Sequence, residues 1–267
     1  MSVQTTVAAP RETRALSLRD RDRILSIASP IGLLLVWEIA ARAGAIDTRF
    51  FPAPSSVLAL LIEMLKSGEL MTHTLTSLQR LALGTVIGGI PALVLGIVMG
   101  LNRTIRALVD PIIAATYPIP KSSILPLALL IFGLGESSKI FMVAIGVFFP
   151  VAINATTGVL EINKIYLDVG RNYKADRWSM FWTIALPGAL PVIMTGFKLG
   201  IGIGLILIAV AEMVGAKSGL GYLIWSAWST FAVEQMYVGL FVIAIIGFLI
   251  TLGLNELERV IIPWKAE

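Results

Sequence analysis

The chain has 267 residues, 57% of them hydrophobic and only 14% charged, where soluble domains carry about a quarter of their residues charged; an ordinary soluble fold is excluded. The net charge of +4 does not mark a nucleic-acid partner, because Lys and Arg lie between apolar runs and not in one basic stripe. With no Cys and a single His, His73, the chain has no means of building a disulfide framework, a thiolate metal site, a thiol nucleophile or a histidine cluster.

Taken in order, residues 1–23 are polar and include Arg11, Arg14, Arg19, Arg21 and Arg23; they read as a cytoplasmic tail, and 24–267 as the membrane domain. Ile24–Ala41 is the first apolar span. Ala41 and Ala43 after it resemble a signal-peptidase site, but the preceding polar region is long for a signal peptide and five spans follow, so the span is read as retained. Residues 48–80 are mixed. Phe51–Ser56 places a turn and a cap before a short amphipathic helix, Val57–Lys66, and nothing in this stretch suits a hydrocarbon core. Leu81–Asn102, Ile140–Leu160 and Gln235–Asn255 carry no charge and are long enough to cross a bilayer. Asp110–Gly135 reads as a broken span, interrupted by Pro111, Pro118, Pro120 and Pro126 and charged by Lys121; unwound backbone is tolerated at membrane depth only where protein or water covers it. Leu190–Val214 is the fifth span, with Lys198 and Glu212 inside it.

Six spans with the tail inside put Arg103, Arg106, the 161–190 loop with Lys164, Arg171, Lys174 and Arg177, and the C-terminal Arg259 and Lys265 on one side. The other side keeps chiefly Arg49, Lys66, Lys139 and Lys217. An excess of Lys and Arg in short loops marks the cytoplasm, so both termini are expected inside, with the 215–235 loop and His73, read as a surface or interface residue, on the far side.

Small residues recur every four positions in two spans: Gly84, Gly88, Ala92, Gly96 and Gly100, then Gly196, Gly200 and Gly204. That spacing lets helix backbones approach closely; packing is the plain reading and a sliding surface the functional one. The glycines of 200–204 are no dinucleotide fingerprint, since no strand precedes them. Ala216-Lys217-Ser218 lacks the glycine that a phosphate-cradling loop needs before its lysine. Any ATP used must therefore bind a partner, and neither a catalytic residue nor a cofactor is expected in this chain.

The loop 161–190 predicts two short helices, about Ile165–Lys174 and Arg177–Leu186, with Pro187 and Pro191 ending the second before the next span. Trp178, Phe181 and Trp182 stand at i, i+3 and i+4, giving one aromatic face. Such a face suits either the membrane surface or a cytoplasmic partner.

From Asp168-Val169-Gly170 through Arg171-Asn172-Tyr173-Lys174 to Ile184-Ala185-Leu186-Pro187, the loop resembles the E-A-A-x3-G-x9-I-x-L-P signature of ABC importer permeases. Its spacing matches throughout. Asp168 replaces the glutamate, Val169 and Gly170 the alanines, and Lys174 the glycine, which places a lysine at a turn that favours positive φ. Phe51–Val57, Pro118-Ile119-Pro120, Ile131–Lys139, Ala211–Gly215 and Gly219–Tyr222 are similar to the nitrate, sulfonate and taurine branch, so that the resemblance covers about residues 31–263. It implies an all-α type I importer permease with six transmembrane helices in a bacterial plasma membrane. It also implies a coupling helix between the fourth and fifth spans, a second permease subunit forming a homodimer, separate ATP-binding subunits and an extracytoplasmic solute-binding protein. The coupling residues it implies are Asp168, Val169, Gly170, Arg171, Lys174, Ala175, Ile184, Leu186 and Pro187, which transmit force and perform no chemistry.

Lys198 and Glu212 are the candidate pathway residues, because ionisable groups at membrane depth are costly and normally face protein or water. Lys198 lies close enough to the cytoplasmic end of its span for its stem to snorkel instead. Fourteen positions separate the two, about 21 Å along a helix, so they cannot neutralise each other. A secondary transporter is the rival reading, disfavoured because no repeat relates the first three spans to the last three. A membrane enzyme is a third, disfavoured by the missing Cys and the lone His.

Overall fold

A computed structural model describes residues 18–264; most of the expected tail, and Lys265, lie outside the described residues. The chain divides into two compact units, one up to Ser56 and one from Val57 onward. In the first, α1 (Leu18–Arg42) is a 25-residue helix that contains the first expected span. Leu33, Leu35, Val36 and Ile39 are more than half exposed, as a lipid-facing helix requires. The Glu38 carboxylate takes hydrogen bonds from Arg42, from the Ser55 amide at 2.9 Å and from the Ser55 hydroxyl at 2.7 Å. Helix α2 (Pro54–Lys66) opens on its proline, whose fixed φ suits a first turn.

The second unit is built around α6 (Glu136–Leu160), packed against both α3 (Glu69–Leu101) and α9 (Leu186–Met213). The glycine stripes make this possible. A Cβ on Gly88 would lie 2.7 Å from the Cα and carbonyl carbon of Ala144, and one on Gly96 would lie 2.5 Å from the Ala152 oxygen. From α9, a Cβ on Gly196 would meet the Pro150 oxygen at 2.9 Å and one on Gly200 the Val147 oxygen at 3.1 Å. Two helices thus lie on adjacent faces of α6 at backbone contact and also touch each other, a Cβ on Gly89 of α3 falling 2.8 Å from the Phe197 ring of α9, the packing expected where lipid gives no hydrophobic gain for association. Val143, Val147, Val151, Ala152 and Ala155 of α6 are fully buried between them.

Helix α3 corrects the sequence reading, for it starts at Glu69 and not at Leu81, giving 33 residues and about 50 Å. The stretch 69–80, mixed in sequence and expected to lie outside the hydrocarbon core, has its polar groups satisfied in the helix. Thr76 donates its hydroxyl to the Thr72 carbonyl at 2.8 Å, and Ser77 and Arg80 find buried partners described below.

The broken span appears as α4 (Arg103–Thr116), a 3₁₀ turn at Lys121–Ile124 and α5 (Leu125–Phe132), with an 87° bend between its halves. Asn102 caps α4 by accepting the Thr104 and Ile105 amides at 2.9 and 3.2 Å. After α9 the expected 215–235 loop contains a further helix, α10 (Leu220–Ser229), before α11 (Val233–Ile261). Among the described residues four helices are long and apolar enough to cross a membrane, and the bent pair makes a fifth. With α1 this is consistent with six spans.

Candidate functional site

The 161–190 loop folds as α7 (Lys164–Asn172), a single turn α8 (Arg177–Ser179) and a π-helical segment, Met180–Ala185, that runs without a break into α9. The expected stop at Pro187 and Pro191 does not occur. Proline breaks a helix by removing an N–H and crowding the carbonyl four residues back. Here the π segment has already shifted the ladder, Leu186 donating to the Phe181 carbonyl five residues back, and Pro187 falls in the first turn of α9.

Both ends of α7 are capped. Asn163 accepts the Ile165 amide at 3.0 Å. At the other end Lys174 donates to the Arg171 carbonyl and Ala175 to the Gly170 carbonyl, both at 2.9 Å, while Lys174 holds φ at 56°. This is a Schellman cap, whose left-handed residue is normally glycine. The lysine at the signature's glycine position adopts the conformation that the glycine would supply. Asp176 then caps α8 by accepting the Ser179 amide at 3.0 Å; the Ser179 hydroxyl and amide hold the Asp176 carboxyl below the usual carboxylate range.

Gly170 is buried and faces the second half of the loop. A Cβ there would lie 2.6 Å from Ile184 Cδ1 and 2.9 Å from Met180 Cε, so two signature positions fourteen residues apart are direct neighbours. Ala185 is fully buried in a cluster with Ile97, Ala155, Val159, Ile162, Ala189 and Ile193, and Ile184 and Leu186 pack against it. Asp168 and Arg171 pair at 3.2 Å in the open. Beside them Ile165, Tyr166 and Val169 are exposed, Tyr173 is 84% exposed and Trp178 68%. The rings of Trp178, Phe181 and Trp182 lie 5.1 to 6.1 Å apart. A cleft of about 510 Å³ opens beneath, lined by Ile162, Tyr166, Ile184, Pro187, Pro191 and Trp264. An inward half anchored in the core and an outward apolar half form a surface continuous with α9.

Of the candidate pathway residues, Lys198 pairs with Glu258 of α11. Glu212 is fully buried. It accepts from Arg80 Nη1 and from the Ser77 hydroxyl, each at 2.8 Å, and from the Gly221 amide at 2.9 Å. Arg80, 3% exposed, also holds both oxygens of Glu136 at 2.6 Å and the Ser218 carbonyl at 2.7 Å. His73 accepts the Gly219 amide at 3.1 Å and Ser77 the Leu220 amide at 2.8 Å. The carboxylate and guanidinium therefore tie α3, α6, α9 and α10 together. Gly219 leaves the Glu212 carboxylate its space, since any Cβ there would overlap it, which explains the pairing of the motifs at 211–215 and 219–222. Sequence reasoning missed Ser77, Arg80 and Glu136. The available signal was the i, i+3 placing of Ser77 and Arg80 on the face continued by Gly84 and Gly88.

Residues 92–266 match the family described as "Binding-protein-dependent transport system inner membrane component". The chain is 38% identical over 255 residues, 92% of each chain, to the taurine transport system permease protein TauC of Escherichia coli strain K12. It is 30% identical over 240 residues, 86% of each chain, to the nitrate import permease protein NrtB of Synechocystis. Among solved structures, an inward-facing MetNI methionine ABC transporter chain superposes with a TM-score of 0.55 at 22% identity, covering 70% of this chain and 91% of that one, a likeness of fold.

Proposed function

The chain belongs to the family of binding-protein-dependent transport system inner membrane components, and we propose that it imports a small anion or zwitterion of the sulfonate or nitrate kind, driven through α7 and α8. It is a multi-pass permease subunit of an ATP-driven importer of the inner membrane, a family whose permeases work with ATP-binding subunits and a solute-binding protein. The ion-gradient carrier finds no support in these relatives.

In the proposed mechanism both termini and the loop 161–190 face the cytoplasm, and a second, identical permease completes the pathway. The coupling positions Asp168, Val169, Arg171, Lys174 and Ala175 seat in a cleft of the separate ATP-hydrolysing subunit, while Gly170, Ile184, Leu186 and Pro187 hold the two halves of the loop to each other and to α9. Closure of the ATPase pair draws the two loops together, and the continuous π-to-α helix carries that motion into the core as a switch between two packings. The observation that carries this reading is the loop itself, an exposed aromatic surface joined without a break to a core span. Lys198 and Glu212, each already paired, serve to hold helices beside the pathway.

The test uses the cysteine-free chain. In intact spheroplasts a membrane-impermeant maleimide should label Thr230→Cys and spare Asn172→Cys, and the reverse pattern would refute the orientation. In reconstituted vesicles the complete importer should take up taurine or nitrate on ATP addition; absence of both would refute the substrate class.

A further inference from the structure

The broken span carries a cation whose surroundings differ from those of Arg80, Lys139 and Lys198, and which, unlike the half-buried Arg106 on the Met99 and Gly100 carbonyls at the α3–α4 junction, stands at a bend within a span. Arg80 and Lys198 sit on carboxylates, and Lys139, 1% exposed, lies on the Leu134 and Gly135 carbonyls close to Glu136 and Glu212. Lys121, at the bend between α4 and α5, has no carboxylate within 4 Å among the described residues. Its Nζ donates to the Thr116 carbonyl at 2.9 Å and the Tyr117 carbonyl at 3.0 Å and stands 4.0 Å from the centre of the Phe149 ring. An ammonium has three donors, so one is left without an oxygen partner.

Depth makes this arrangement informative. Phe149 is thirteen residues after Glu136 and eleven before Leu160 in α6, about 20 Å and 17 Å at 1.5 Å per residue. The ammonium beside its ring therefore lies near mid-membrane, out of reach of lipid headgroups at either face. Charge at that depth is tolerated only toward protein or a water-filled passage, and irregular backbone such as 117–124 is subject to the same condition. Yet Lys121 is only half buried and Ser122 and Ser123 are exposed, with hydroxyls that bond no other group among the described residues. A positive charge, two free hydroxyls and an aromatic ring thus border open space in the middle of the bilayer.

We propose that Lys121, with Ser122 and Ser123, is a station on the translocation pathway that receives the oxyanion group of the cargo, a sulfonate or nitrate. The inference rests on the reading of this chain as an importer of such solutes and names the residues that would meet them. The ammonium offsets the desolvation of the anion, the hydroxyls supply neutral donors, and the Thr116 and Tyr117 carbonyls hold the lysine in place when no anion is present. One uncompensated charge attracts without trapping, as passage requires.

The experiment labels Ser122→Cys in the intact importer with two methanethiosulfonates of similar size, 2-sulfonatoethyl, itself an alkylsulfonate, and 2-(trimethylammonio)ethyl. A unit charge within a few ångströms in a partly aqueous site changes local ion concentration by about tenfold in opposite directions for the two reagents. The anionic-to-cationic rate ratio should accordingly fall at least tenfold on adding Lys121→Met and be kept by Lys121→Arg, while Thr230→Cys should show no such dependence. The ratio cancels any change in thiol reactivity, and an unchanged melting temperature certifies the fold of each variant. A ratio indifferent to Lys121, as a neutralising carboxylate from the second subunit would cause, or Ser122→Cys inaccessible in the folded complex, overturns the proposal. Lys121→Met should also lower taurine or nitrate uptake at least tenfold. If the unmodified importer moves neither solute, the substrate reading fails while the labelling still decides the anion site.

Discussion

The α3–α6–α9 core and the 161–185 loop use the same residue types in opposite ways. In the core, Gly88 and Gly96 meet backbone atoms of α6 that cannot yield, and the charges of Arg80 and Glu212 are buried and paired. In the loop, Gly170 meets the flexible ends of Ile184 and Met180, the Asp168–Arg171 pair is open to solvent, and Tyr173, Trp178 and Trp182 are exposed. The core is complete by itself, because every close approach is matched from within the chain. The loop is complete on its inner face only; its outer face has the composition of an interface centre, where aromatic residues concentrate binding energy.

The contrast is broken most severely at Gly88. A Val there places its Cβ inside the Ala144 backbone, and the helices must separate to accept it. The expected cost exceeds about 5 kcal/mol, enough to exhaust the stability of most proteins, so Gly88→Val should yield no monodisperse protein in detergent. Gly170→Ala meets only movable side-chain ends and should fold, with a stability loss of about 1 kcal/mol. Equal yields of the two variants would remove the distinction.

Next in size is the buried pair. Removing Arg80 leaves Glu212 buried with only the Ser77 and Gly221 donors, and breaking a buried pair from one side costs about 3–5 kcal/mol. Arg80→Ala should lower the melting temperature strongly. Replacing both partners together, Arg80→Met with Glu212→Leu, should recover part of that loss if unpaired charge is its cause; a double variant as unstable as the single would point to packing instead.

On the loop the expected effects leave stability alone. Tyr173→Ala or Trp178→Ala removes an exposed ring and should shift unfolding by no more than about 0.5 kcal/mol, yet weaken retention of the ATP-binding subunit by about 2 kcal/mol, near thirtyfold. Co-purification at unchanged yield would argue that this face meets something else.

These differences also explain what was legible beforehand. Uncharged 20-residue runs, four-residue glycine spacing and clustered prolines are local patterns, and they placed α6, α11, the packing faces of α3 and α9, and the break between α4 and α5, while the spaced signature singled out the 161–190 loop. The first three turns of α3 were not legible, because Ser77 and Arg80 look like loop residues until Glu212, more than 130 positions away, supplies their partner. Lys198 and Glu258 are sixty positions apart and share no motif. The continuity through Pro187 depends on a π segment, for which neither hydrophobic period gives a sign. Lys121 was visible as a charge in a broken span, but its mid-membrane depth required the Phe149 contact.

The smallest expected effect lies at Lys174, where both regions can be compared through one backbone angle. A non-glycine residue at φ near 56° carries a penalty of about 1 kcal/mol or more from its Cβ. Lys174→Gly removes that penalty but gains unfolded-state freedom of about 0.4–1 kcal/mol, so the net gain for the loop is a few tenths of a kcal/mol. Global melting, governed by the core, should not register it. The Ala175 amide, which closes the Schellman cap onto Gly170, should: its hydrogen exchange should slow up to about threefold in Lys174→Gly, a change near 0.6 kcal/mol. In Lys174→Val it should speed, because a β-branched side chain tolerates positive φ least. Faster exchange in the glycine variant would mean that the lysine stem itself secures the turn. Transport then separates geometry from contact. If Lys174 serves only the turn, Lys174→Gly and Lys174→Asn, whose side chain accepts the left-handed region, should both couple ATP hydrolysis to uptake as the native chain does. If its ammonium meets the ATP-binding subunit, both variants should tighten the cap and lose coupling.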